Sequence, residues 1–137
     1  MNKIEHIGIA VKNLAEANKI YEALLGKPPY KSEKVESEGV ETSFFECGES
    51  KIELLEATRS DSPIAKFIEK RGEGIHHIAF AVDDIEAEMQ RLKNEGFILL
   101  NEVPKKGADN KLVAFLHPKS AKGVLVELCQ ERKNSKK

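Results

Sequence analysis

Bulky apolar residues alternate with small ones across His6-Ile7-Gly8-Ile9-Ala10-Val11, and the same order returns at His77-Ile78-Ala79-Phe80-Ala81-Val82. A period of two marks a strand whose two faces differ. A polar pair follows each run, Lys12-Asn13 and Asp83-Asp84. Beyond it the apolar period lengthens to that of a helix, with Leu14, Ala17, Ile20, Tyr21, Leu24 and Leu25 in the first case and Ile85, Met89 and Leu92 in the second. This spacing predicts an amphipathic helix in each place. Asn13 and Asp83 or Asp84 are suitable N-caps, and Gly26 and Gly96 stand where a C-terminal cap belongs.

Each helix is followed by β-prone stretches. After the first helix they cover about 40–46 and 51–56, joined by a turn at Gly48, with a less regular one over about 28–34. After the second they cover about 97–101, 111–116 and 123–130, with turns near Gly107 and Lys119-Ser120. The chain therefore reads as α+β, with two tandem βαβββ units over about 4–57 and 75–131. Between them, Ser62 as N-cap and Pro63 in the first turn predict a linker helix over about 62–71, stopped by Gly72.

The bulky face of each opening strand belongs under its helix. The other face carries His6, Gly8 and Ala10 in one unit and His77, Ala79 and Ala81 in the other. A packed core fills such a face, so one lined by small residues leaves room for a ligand. The last strand of each unit adds an acid. Glu53 stands between Ile52 and Leu54, and Glu127 between Val126 and Leu128. A single strand histidine or glutamate is ordinarily structural or solvated. A carboxylate within an apolar strand is costly unless it is paired or bound to a metal. Two histidines and two glutamates at matching places favour the metal. Such ligands suit a borderline to hard divalent ion with positions left open for water or substrate.

Composition narrows the rest. The chain has 137 residues, 40% hydrophobic and 33% charged, as expected of a soluble globular protein of one ordinary domain. No apolar run approaches the roughly 18 residues that cross a bilayer. The first residues carry no apolar signal core, so a cytoplasmic location is expected. A net charge of -1 supplies no field for nucleic acid. The basic run over 132–137 reads as a solvated terminus. Cys47 and Cys129 form neither a disulfide framework nor a C-x-x-C pair.

Together these features resemble the vicinal oxygen chelate (glyoxalase/bleomycin-resistance) superfamily over about residues 4–131. The stretches Asp61-Ser62-Pro63-Ile64-Ala65-Lys66-Phe67, Gly74-Ile75-His76-His77-Ile78-Ala79-Phe80, His117-Pro118-Lys119-Ser120 and Gly123-Val124-Leu125-Val126-Glu127-Leu128 are most similar to its methylmalonyl-CoA epimerase branch. The resemblance implies a U-shaped mixed sheet around one metal site, with His6, Glu53, His77 and Glu127 as ligands. Relatives carry Gln or Glu where Glu53 stands. The ion would be cobalt, zinc, nickel or manganese. The resemblance also implies an acyl-CoA substrate, a homodimer, and epimerisation at the carbon alpha to the thioester through an enolate.

Glu127 is the expected base on one side of that carbon. Some relatives place a second acid just beyond a Gly-Val pair. Here Gly39-Val40 is followed by Glu41 and Thr42. Strict alignment puts Thr42 at the acid's position, and a bulge or slipped register would put Glu41 there. Glu41 is the candidate second base. Only one of the two can see the metal, because neighbouring strand residues face opposite ways. Lactoylglutathione lyase activity is the alternative, and a non-catalytic small-molecule-binding or resistance module is the third. The fold by itself does not choose among them.

Overall fold

A computed structural model describes residues 1–132. The rest of the basic run, 133–137, lies outside the described residues. The elements in chain order are β1 (Lys3–Ala10), α1 (Leu14–Leu25), β2 (Lys31–Val35), β3 (Val40–Cys47), β4 (Ser50–Ala57), α2 (Pro63–Arg71), β5 (Gly74–Ala81), α3 (Ile85–Asn94), β6 (Lys105–Lys106), β7 (Lys111–Leu116) and β8 (Val126–Glu131). The chain divides into two compact units, one of His6–His76 and one of Met1–Glu5 with the chain from His77 onward. The architecture is mixed α+β, as the periodicities predict.

In the unit of His6–His76 the strands lie in the order β2-β3-β4-β1. β1 and β4 run parallel, and the remaining pairs are antiparallel. One face packs against α1 through Val11, Leu14, Ala17, Phe45 and Leu54. The other face is covered at one end by Ile64 of α2, which meets Ala10, Val40 and Leu55. The start of β3 is fixed by a clamp. Arg59 donates from Nη1 to the Glu36 carbonyl at 2.6 Å and from Nε to Asp61 Oδ1 at 2.6 Å. Gly39 lies beneath it with φ of 63°, and a Cβ there would come within 2.9 Å of Arg59 Cζ and Ser62 Cβ. Only glycine satisfies both the left-handed backbone and the close approach.

In the other unit the order is β5-β8-β7-β6, with β5 and β8 parallel. α3 buries Ile85, Met89 and Leu92 against Ala114, Leu116, Val126 and Leu128. The repeat extends to individual hydrogen bonds. The first N–H of α1, on Leu14, donates to Glu56 Oε1 at 2.7 Å, and that of α3, on Ile85, donates to Gln130 Oε1 at 2.7 Å. Val11 N–H donates to the Leu55 carbonyl and Val82 N–H to the Cys129 carbonyl, both at 2.9 Å. Each last strand thus secures the helix that follows the first strand.

Several local expectations are corrected. α1 buries Leu14 and Ala17, with Tyr21 and Leu25 packed beside them. Ile20 and Leu24 point outward, 61% and 70% exposed. The Leu14–Glu56 bond and the Tyr21–Phe45 ring contact set this rotation. The strand expected over 97–101 shrinks to one bridge, Leu99 to Leu116. Side chains take its ladder bonds: Asn101 Oδ1 accepts the Phe115 N–H and Ser120 Oγ accepts the Ile98 N–H, each at 2.8 Å. Pro104 offers no N–H to extend the ladder. The short β6 stands in its place. Of the two possible caps, Asp84 serves α3, accepting from Ala87 N. Among the described residues, no helix is long and apolar enough to cross a membrane.

Candidate metal centre

Strand register brings the candidate ligands into two matching frames. Within His6–His76, Glu53 lies opposite Gly8 on β1 and opposite Phe44 on β3. Within the other unit, Glu127 lies opposite Ala79 on β5 and opposite Phe115 on β7. Side chains paired across a ladder share a face. Each carboxylate therefore has a small residue on one side and a phenyl ring on the other. His6 starts the small-residue line of β1 and His77 that of β5.

His6 Nδ1 lies 3.2 Å from Glu53 Oε2, and His77 Nε2 lies 3.0 Å from Glu127 Oε1. All four residues are about 5% exposed: 5% for His6, Glu53 and Glu127, and 6% for His77. Phe115 meets the His77 ring edge-on, at 6.2 Å between centroids and 84° between planes. The second oxygen of Glu127, Oε2, accepts from Cys129 Sγ at 3.2 Å.

Each couple, taken by itself, has the donor chemistry of two ligands to a divalent cation. A buried carboxylate costs several kcal/mol unless it is compensated, and each of these is matched to an imidazole. Two ligand atoms roughly 2.1 Å from a common ion and near a right angle are roughly 3.0 Å apart. The pair separations of 3.2 and 3.0 Å match that requirement. Gly8 and Ala79 place no bulky side chain beside the carboxylates.

The register decides between Glu41 and Thr42. β3 pairs with β4 residue for residue, from Val40 opposite Ala57 to Cys47 opposite Ser50, without a bulge. Thr42 lies opposite Leu55 and shares the Glu53 face, 1% exposed. Glu41 lies opposite Glu56, whose carboxylate holds the start of α1. The candidate second base therefore stands on the helix side of the sheet, away from the Glu53 face. The clamp at Gly39 and Arg59 leaves no slack for the slip that would turn it round.

Other singled-out residues are structural. His117 Nδ1 accepts the Lys119 N–H at 3.0 Å and closes a turn. His76 packs edge-on against Phe67 at 4.9 Å. Cys47 is exposed and Cys129 buried, and the two are not joined in a disulfide. Sequence reasoning missed Phe44 and Phe115. Matching the third strands of the two units, not only the first and last, would have aligned them. It also missed the pairing of buried Glu5 with Lys111, 3.6 Å from Nζ to Oε2, for which local sequence carries no signal.

The chain matches the family model of the glyoxalase/bleomycin resistance protein/dioxygenase superfamily over residues 5–115. It is 41% identical over 132 residues to the uncharacterized protein YqjC of Bacillus subtilis, covering 96% of this chain and 94% of that one. It is 40% identical over 131 residues to the mitochondrial methylmalonyl-CoA epimerase of Homo sapiens, covering 95% of this chain and 74% of the relative. A solved structure of a Streptomyces coelicolor methylmalonyl-CoA epimerase variant with 2-nitronate-propionyl-CoA superposes with a TM-score of 0.91 at 34% identity. That match covers 97% of this chain and 99% of the other. The fold is glyoxalase-like, and the chain belongs to the glyoxalase/bleomycin resistance protein/dioxygenase superfamily, with methylmalonyl-CoA epimerases among its close relatives.

Proposed function

We propose that the protein epimerises methylmalonyl-CoA at the carbon alpha to the thioester, with His6, Glu53, His77 and Glu127 holding one divalent ion, cobalt, zinc, nickel or manganese. The observation that carries this reading is the matched pair of buried imidazole–carboxylate couples, each framed by a small residue and a phenylalanine. The bound ion would supply Lewis acidity to the thioester oxygen, where negative charge gathers as the proton leaves.

The protein's own groups move the proton. Glu127 takes it from one side of the alpha carbon, or returns it there. With Glu41 on the helix side, the carboxylate that matches Glu127 is Glu53, and the opposite side falls to it. Loss of acid character at Thr42 and its presence at Glu53 fit together, because both positions lie on one face of neighbouring strands. Two bases allow inversion without turning the substrate over. The flanking Phe44 and Phe115 rings exclude water from both carboxylates and strengthen each electrostatic contact there.

Incubation of the metal-loaded protein with one methylmalonyl-CoA epimer in deuterated water tests the proposal. Deuterium should enter C2 as the epimers equilibrate, and His77→Ala should abolish this. Absence of exchange, with isomerisation of the glutathione hemithioacetal instead, would replace the reading with a lyase.

A further inference from the structure

We infer that Cys129 is a positioning residue, whose thiol holds the second oxygen of Glu127 and so fixes the carboxylate for the ion and the substrate. The inference rests on the metal-centre reading and adds to it a residue that the superfamily's ligand pattern does not include. Cys129 is 2% exposed, and its Sγ lies 3.2 Å from Glu127 Oε2. The other oxygen, Oε1, lies 3.0 Å from His77 Nε2 and is the one placed to meet the ion. The thiol thus holds the oxygen turned away from His77.

The two frames differ in the residue that follows each acid along its strand. Two residues beyond Glu53, on the same face, is Leu55; two residues beyond Glu127 is Cys129. Leu55 lies opposite Ala10 and Thr42, and Cys129 opposite Ala81 and Val113. The side chain next along the strand is apolar beside Glu53 and a hydrogen-bond donor beside Glu127. Ala79, Val113 and Phe115 pack beside Cys129, and the buried Glu5 places a carboxylate oxygen within 4.8 Å of its sulfur. A buried donor is strengthened by the low local dielectric, and its loss takes that hydrogen bond from the Glu127 oxygen.

Cobalt binding by the full chain, followed by the visible spectrum of the ion and by titration, tests this. Cys129→Val fills nearly the same volume without a donor and should weaken cobalt affinity about tenfold, as loss of a residue that orients a metal ligand does. Cys129→Ser restores a donor and should keep the affinity within about twofold of the unsubstituted protein. Thermal melting of both variants without metal separates a packing role, which would lower stability but leave cobalt affinity alone. Equal cobalt affinity in Cys129→Val and the unsubstituted protein would overturn the inference and leave the metal centre standing. Failure of the unsubstituted protein itself to bind cobalt would overturn both.

Discussion

Glu53 and Glu127 are acids set among apolar neighbours, and the reason they were legible is that strand alternation assigns a face to every residue once one is known. His6 and His77 follow from the same rule. What alternation does not supply is the register of the next strand. Gly39-Val40-Glu41-Thr42 permits two placements that differ by one residue, and sequence contains no bulge signal to separate them. The Gly39–Arg59 clamp resolves the choice through atoms distant in the chain. It follows that Glu41→Gln should change deuterium exchange by less than about twofold, since a half-buried residue on the helix side touches neither acid. A loss of exchange of a hundredfold or more in that variant would return Glu41 to the chemistry.

At the scale of elements, starts were legible and ends less so. Caps are local. Asn13, Ser62 and Asp84 each accept from an N–H three residues on, and each is visible in the sequence. The rotation of α1 is not local, because Ile20 and Leu24 have the same period as the buried line and only the sheet beneath selects between them. The missing strand near 97–101 was likewise hidden, since Asn101 and Ser120 divert its ladder bonds from positions on either side. Ser62 is 0% exposed and accepts from Ala65 N at 3.1 Å. Its replacement in Ser62→Ala should cost about 1 kcal/mol, read as a fall of roughly 4 °C in melting temperature. An unchanged Tm would mean that α2 draws its stability from Ile64 and Phe67 alone.

For the molecule as a whole, the duplication was the most legible feature, because two copies of a pattern confirm each other where one is ambiguous. Where the copies differ, as at Leu55 and Cys129, alternation gave the shared face, and the contact from Cys129 to Glu127 needed the folded chain. An ion bound only by the folded chain stabilises it by mass action, by about 2.7 kcal/mol when free ion stands at about 100 times its Kd. Chelator treatment should therefore lower the melting temperature, and cobalt should restore it. A melting temperature indifferent to both would remove the ion from the native protein.

The unit that begins at His77 also includes the first five residues of the chain. Asn2 bonds to Ala81 and Asp83, and Glu5 pairs with Lys111. During synthesis these residues are made early and their neighbours late. At about 5–20 residues per second, roughly 5–20 s pass before Lys111 follows Glu5 out of the peptidyl-transferase centre. For that interval the opening of β1 waits for the contacts that complete its unit, so this unit closes only after its last strands are made.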